Sequence, residues 1–285
     1  MNQSMTSAPQ VEIRPCHGLA EFEACVALEK FVWESPDIEV VPAALFAVTP
    51  ETGGQVLGAF DRGRLIGFVL SFGACRDGAP GRPPQPYLHS HMTAVLPEYR
   101  DLGIGRNLKL FQREEALRRG IELVEWTFDP LELRNAYFNL VRLGAIVRRF
   151  IPNLYGVTAS PLHSGMPTDR FVAEWWLRSP RVEAIVAGRA PQAPSAGVKR
   201  FAGVEKIDVP SAISDIKLAD REEAICIQTR VREQAQHWFS RGYAVTGIEQ
   251  GGEVTRYILE PQSGIRGIPI EGANKSALKG SHKGE

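Results

Sequence analysis

A strand-like run, Tyr87 to Leu96, breaks into Pro97-Glu98-Tyr99-Arg100-Asp101-Leu102-Gly103-Ile104-Gly105-Arg106 and then into a segment with Ile104, Leu108 and Phe111 at helical spacing. A strand that ends in a glycine turn and opens a helix aims several unpaired backbone N–H groups at one point, with the positive end of the helix dipole behind them. That point suits a phosphate. Gly103 and Gly105 allow close backbone approach and unusual dihedrals, and Arg100 and Arg106 bracket the turn with positive charge. The plainer alternative is a strand-to-helix connection that binds nothing.

Spacing separates the ligands such turns take. The nucleoside-triphosphate loop needs lysine and then serine or threonine after its last glycine, but Arg106-Asn107 follow Gly105. The dinucleotide fingerprint needs a third glycine where Leu108 stands, and its first glycine should follow the strand directly, whereas Pro97 to Leu102 intervene.

The rest of the chain predicts an α/β (α+β) fold. Val11 to Arg14 reads as a strand and Leu19 to Trp33 as a helix with Leu19, Phe22, Val26 and Trp33 on one side. Gln55 to Asp61, the turn Arg62-Gly63 and Arg64 to Gly73 read as a hairpin. After the glycine turn and its helix to about Arg119 come a strand Glu122 to Phe128, a helix Leu133 to Leu143 stopped by Gly144, and strands Ala145 to Ile151 and Arg170 to Leu177. The order gives a mixed, mostly antiparallel sheet flanked by helices. Residues 11–178 form the expected core, after a flexible stretch 1–10. A smaller C-terminal α/β extension covers 179–261, with a Pro-, Ala- and Ser-rich linker from Ala190 to Gly197 and a helix Glu222 to Arg241. The segment 262–285, with few large apolar residues, is expected to be disordered.

Composition narrows the partners. Lys plus Arg and Asp plus Glu both number 33 in 285 residues, so the net charge is zero and no long-range field draws the chain to nucleic acid or to an anionic membrane. Cys16, Cys25, Cys75 and Cys226 form no C-x-x-C pair, which speaks against a zinc site or a disulfide framework and for a reducing cytoplasm. No metal is expected. Neither a signal peptide nor a run long enough to span a membrane is read from the sequence.

The segment Ala94-Val95-Leu96-Pro97-Glu98-Tyr99-Arg100-Asp101-Leu102-Gly103-Ile104-Gly105-Arg106 resembles the coenzyme A pyrophosphate motif, [RQ]-x-x-G-x-[GA], of the GNAT superfamily of acyl-CoA N-acyltransferases. The element order of residues 11 to 177 agrees with that family. The resemblance implies that Arg100, Asp101, Leu102, Gly103, Ile104, Gly105 and Arg106 hold the pyrophosphate. It further implies that two strands splay, and that backbone at Thr93, Ala94 and Val95 engages the pantetheine arm and polarises the thioester. The family often places a carboxylate base five residues before the alanine that matches Ala94, where this chain has His89, with His91 two residues on. The tyrosine acid common in relatives would fall at Leu140 and the usual asparagine at Leu133. Asn135 and Asn139 are the substitute cofactor contacts, and Tyr155 the substitute acid, with Tyr137 a second aromatic to weigh.

The loop Asn153 to Asp169, with Tyr155, His163 and Thr168, borders the acceptor pocket in similar enzymes. An acidic side chain there suits an ammonium group, and Arg148, Arg149 or Arg170 suits a carboxylate. The resemblance implies acyl-coenzyme A, acetyl or succinyl, as co-substrate, and a small-molecule amine, such as an amino acid, as acceptor. A homodimer through the extension is a further expectation. The alternative is a catalytically silent acyl-CoA-binding regulatory module.

Overall fold

The computed structural model describes residues 9–34, 36–77, 83–156, 165–189 and 203–269. Most of the expected flexible start, the linker 190–197, His163 and the tail from 270 lie outside the described residues. In chain order come β1 (Val11–Pro15), α1 (Gly18–Trp33), α2 (Ala43–Glu51), β2 (Gln55–Asp61), β3 (Arg64–Arg76), β4 (Gln85–Val95), α3 (Ile104–Arg118) and β5 (Leu123–Phe128). Then α4 (Leu133–Tyr137) runs on as one π-helical turn, Phe138–Arg142, before β6 (Ile146–Ile151), β7 (Arg170–Trp176) and α5 (Pro180–Val186). The C-terminal part adds β8 (Glu205–Pro210), α6 (Ile213–Ala219), α7 (Arg221–Phe239), β9 (Tyr243–Glu249) and β10 (Val254–Pro261).

The ten strands of the described residues lie in one sheet, ordered β1-β2-β3-β4-β5-β7-β6-β9-β10-β8. Every pairing is antiparallel except β4 with β5, which matches the mixed, mostly antiparallel sheet expected from the sequence. The hairpin forms around Arg62 and Gly63, both at positive φ. Gly144, at φ 80°, ends the helical segment where the sequence puts its stop.

Two differences have physical causes. The buried residues of α1 are Phe22, Cys25, Leu28 and Glu29; Val26 and Trp33 of the expected stripe pack partly buried against the same core, and Leu19 is exposed. Glu29 joins the inward side, where its carboxylate accepts the Val41 N–H at 3.0 Å. The buried thiols of Cys16 and Cys25 lie 4.0 Å apart as free cysteines. Helix α2 has no counterpart in the sequence reading, because Pro42 and Pro50 read as breakers; Pro42 instead occupies the N-cap and Pro50 lies in the last turn.

The C-terminal elements share the core of the rest. Val147 of β6 pairs with Val245 of β9, and one buried apolar cluster runs from Trp126, Leu140 and Trp175 to Ile207, Val231 and Tyr257. Polar ties cross the same boundary: Arg232 clamps Asp169 through two bonds of 2.8 and 2.9 Å, and Lys217 reaches Asp129 and Glu132. Residues 262–269, where the expected tail begins, fold back so that Ile265 and Ile268 cover Trp176 and Ile146.

Tyr257 is fully buried, and its hydroxyl donates to the Pro130 carbonyl at 2.5 Å. Tyr257→Phe strands that carbonyl without a donor, so chemical unfolding should show a loss of about 1–3 kcal/mol.

Candidate functional site

The parallel pairing of β4 with β5 covers two residue pairs, Leu88↔Val124 and His89↔Glu125. Beyond them β4 stays with β3 as far as Val95, while β5 stays with β7 as far as Phe128. The strands therefore diverge, and the backbone of β4 from Ser90 to Val95 has no strand partner on its β5 side. A bulge lies at the apex of this wedge. Ser71 faces Ser90 and Leu70 faces Met92, which leaves His91 as the extra residue. Thr93 and Val95 are half-buried along the wedge and Ala94 is buried.

The wedge leads into the glycine turn. After a 3-10 turn at Pro97–Tyr99 the chain takes positive φ at Asp101 (63°) and Gly103 (79°), and α3 begins at Ile104. Asn107 N–H already bonds Gly103 O at 3.0 Å, so the amides before it are the helix's unpaired first donors. Arg100, Asp101, Leu102 and Gly103 are exposed, Gly105 and Arg106 are half-buried, and Ile104 anchors the turn in the core. Arg100 reaches back to Val95 O at 3.4 Å. Asp101 pairs with Arg134 of α4 at 2.6 Å and so ties the turn to the next helix. Arg106 does not bracket the turn, because its guanidinium donates to Ile185 O of α5 at 3.3 Å.

One face of the sheet carries His89, His91 and Phe72 together, with ring centroids 6.1 Å apart for the two histidines and 5.2 Å for Phe72 and His91. Desolvation, then the charges of His91, Lys109 and Arg149, lower the His89 pKa to about 4, so its imidazole is neutral at pH 7. His91 keeps an open side to solvent, yet crowding on its other sides also lowers its pKa by desolvation. Beside His89 lies a charged row that sequence reading missed. Glu125 and Glu174 are direct cross-strand partners, both buried, and Arg76, Arg149 and Arg148 neutralise them. Arg149 meets Glu125 at 2.5 Å. In a strand read alone these glutamates pass for solvent-facing alternation, and only the pairing shows them to be buried neighbours.

Tyr155 is half exposed, with its hydroxyl 3.0 Å from Thr127 Oγ1 on β5 and its ring near the Arg170 guanidinium. Asn139 is buried and bonds Asn135, which is exposed near the start of α4, at 3.3 Å. The structure thus brings His89 and His91 together at the bulge and sets Tyr155 over β5. The two asparagines lie on the helix that Arg134 ties to the turn. Leu140 is fully buried and Tyr137 faces outward.

On the opposite face, Lys109 of α3 is wholly buried beneath the fork of the two strands. Its ammonium donates to Ser90 Oγ at 3.0 Å and Gln112 Oε1 at 2.6 Å and lies 4.1 Å from the Trp126 ring centroid. Desolvation lowers its pKa to about 7. A lysine in the second turn of a helix otherwise rich in Arg and Glu reads as surface, so the sequence carried no signal for it.

A cavity of about 650 Å³, lined by Cys16, Gln55 and Arg119 among others, shares no residue with the wedge or the turn. Among the described residues no His, Cys, Asp and Glu cluster could hold a metal ion, and no helix is long and apolar enough to cross a membrane.

Residues 22–138 match the Acetyltransferase (GNAT) family. Among solved structures, the ribosomal-protein-S18-alanine N-acetyltransferase from Escherichia coli is similar at 14% identity over 58% of this chain and 92% of its own, with a TM-score of 0.43. Arabidopsis thaliana NAA60 in complex with acetyl-CoA is similar at 14% identity over 59% of this chain and 99% of its own, with a TM-score of 0.47. An aminoglycoside acetyltransferase from an uncultured soil metagenomic sample is 17% identical over 44% of this chain and 82% of its own, with a TM-score of 0.38. No curated protein matches the sequence.

The native pKa of His89 lies below its ordinary value of 6.5, so the unfolded chain binds more protons between about pH 4 and 6.5. At this site stability should rise with pH across that window and fall away as pH drops through it. Urea unfolding at pH 5 and pH 7 should show a smaller gap between the two pH values for His89→Gln than for the unaltered chain.

Proposed function

We propose that this chain, which carries a GNAT acetyltransferase domain at residues 22–138, transfers an acetyl or succinyl group from coenzyme A to the amine of a small molecule, such as an amino acid. The observation that carries this reading is the wedge between β4 and β5, whose open backbone leads directly to the unpaired amides of the glycine turn. A pyrophosphate on residues 100–106 directs a pantetheine arm along Thr93, Ala94 and Val95, with its thioester near the bulge at His91. There a strand N–H can polarise the carbonyl oxygen without help from a side chain.

The chemistry asks for a neutral attacking amine and an acceptor for the proton it sheds. The amine nitrogen bonds to the acyl carbon and the carbon–sulfur bond breaks. Its proton passes to His89 or, through water, to His91, both held neutral at pH 7 by desolvation. Tyr155, over the wedge beside Thr127, is the side chain on this face best placed to orient the acceptor. Asn135 and Asn139 serve the cofactor from the α4 side. The arginine-rich row beside His89 favours an acceptor or acyl group that carries a carboxylate. The C-terminal extension supplies the surface for a homodimer.

Thermal unfolding with coenzyme A, acetyl-CoA, succinyl-CoA and NAD tests the cofactor. A ligand near 100 times its dissociation constant adds about 2.7 kcal/mol, a visible rise in midpoint. The coenzyme A species should shift the transition and NAD should not; no shift with any coenzyme A species refutes the assignment.

Gly103 sits at φ 79°, which a β-branched residue reaches only with strain, although a Cβ there meets no neighbour within 4 Å. Gly103→Val should therefore leave a folded protein that binds coenzyme A at least ~10-fold more weakly by calorimetry.

A further inference from the structure

Among the described residues no anion lies against the buried ammonium of Lys109, whose neighbours are Ser90, Gln112 and the rings of Trp126 and Trp175. Through the sheet it acts on His89, whose pKa it helps lower, while Glu125 on the far face is held by Arg76 and Arg149. Burying an ammonium in such company is costly, so the fold retains it against stability. Its position gives the reason. Ser90 belongs to β4 and Trp126 to β5, so the ammonium lies under the point where the two strands part.

Ser90 completes the arrangement. Its oxygen accepts from Lys109 Nζ at 3.0 Å and from Gln112 Nε2 at 3.3 Å, and Gln112 is held in turn by Ser71. With both acceptor positions used, the hydroxyl proton is left to donate, and no acceptor for it is found among the described residues. Ser90 directly precedes the bulged His91, at the apex of the wedge. Leu140, where a tyrosine acid would stand in similar enzymes, offers no proton.

We propose that Ser90 gives its hydroxyl proton to the departing coenzyme A thiolate and that Lys109, as the positioning residue behind it, replaces that proton from its ammonium. This rests on the transferase reading above. As the carbon–nitrogen bond forms, the carbon–sulfur pair leaves with sulfur, and sulfur takes the Ser90 proton. Ser90 Oγ takes one from Lys109 Nζ, and the amine's surplus proton goes to His89. The turnover ends with neutral Lys109 and charged His89, and solvent exchange resets both. An ammonium poised near neutrality is matched to such a donor.

The test compares Ser90→Ala and Lys109→Met with the unaltered chain, using free-thiol release from acetyl-CoA and succinyl-CoA with an amine panel. Both variants should keep the thermal shift with coenzyme A and their KM values, while kcat falls by about 100-fold. The basic limb of the kcat profile should disappear in Lys109→Met. With acetyl 4-nitrophenyl thioester, whose thiolate leaves without a proton, the variants should match the unaltered chain. Full kcat in Ser90→Ala, or an equal loss with both thioesters, overturns the proposal. Should Lys109→Met fail to fold, Ser90→Ala decides alone, because it removes one oxygen and leaves the lysine its Gln112 partner. Absence of thiol release from the unaltered chain, despite a coenzyme A shift, overturns the transferase reading itself.

Discussion

Backbone amides and carbonyls need partners, and the edge of β4 that loses β5 after His89 has a row of them without a strand partner. An interior sheet tolerates such a gap only where something else can fill it. The glycine turn at the end of the same strand leaves a second set of donors open, the first amides of α3. The two sets are continuous along one strand, so an extended ligand with an anionic end satisfies both. Side-chain identity contributes little to this part of the site, because the groups that would meet the ligand belong to the backbone.

The polar side chains divide between the two faces. On the histidine face, two glutamates directly opposite one another would repel, and three arginines hold them together in a network that also raises the local positive potential near His89. On the α3 face, Lys109 sits against Ser90, Gln112 and two tryptophans, with no carboxylate among the described residues to neutralise it. Desolvation therefore acts on both sides of the strand fork. It keeps His89 free of its proton and brings Lys109 close to losing one, a division suited to a reaction that must take a proton in one place and give one in another.

The C-terminal part is integral to this arrangement. It extends the sheet past β6, shares the apolar cluster behind Trp126 and Trp175, and supplies the Ile185 carbonyl that draws Arg106 away from the turn. Arg181 donates to Leu140 O and Thr246 O, at 2.8 and 2.5 Å, which pins the π-helical turn after α4 against β9. The helix that bears Asn135 and Asn139 is thus held at both ends, by Asp101 at the turn and by the extension at its close.

The order of the strands and helices of the core was legible in the sequence, because alternation, helical spacing and glycine stops are local signals carried by adjacent residues. So was the glycine turn, since Gly103 and Gly105 declare a backbone geometry that needs no knowledge of the rest. Helix α2 was hidden by its prolines, and the inward place of Glu29 on α1 by the distance in sequence to the Val41 amide that it accepts from. The sequence by itself determined which backbone could cradle an anion and which strand leads to it. Only the tertiary structure decided that β5 leaves β4 after two residues, that Glu125 meets Glu174, and that Lys109 lies under the fork. Those facts depend on residues far apart in the chain meeting across a sheet, and burial, which sets their charge, is a property of the packed molecule and not of any segment.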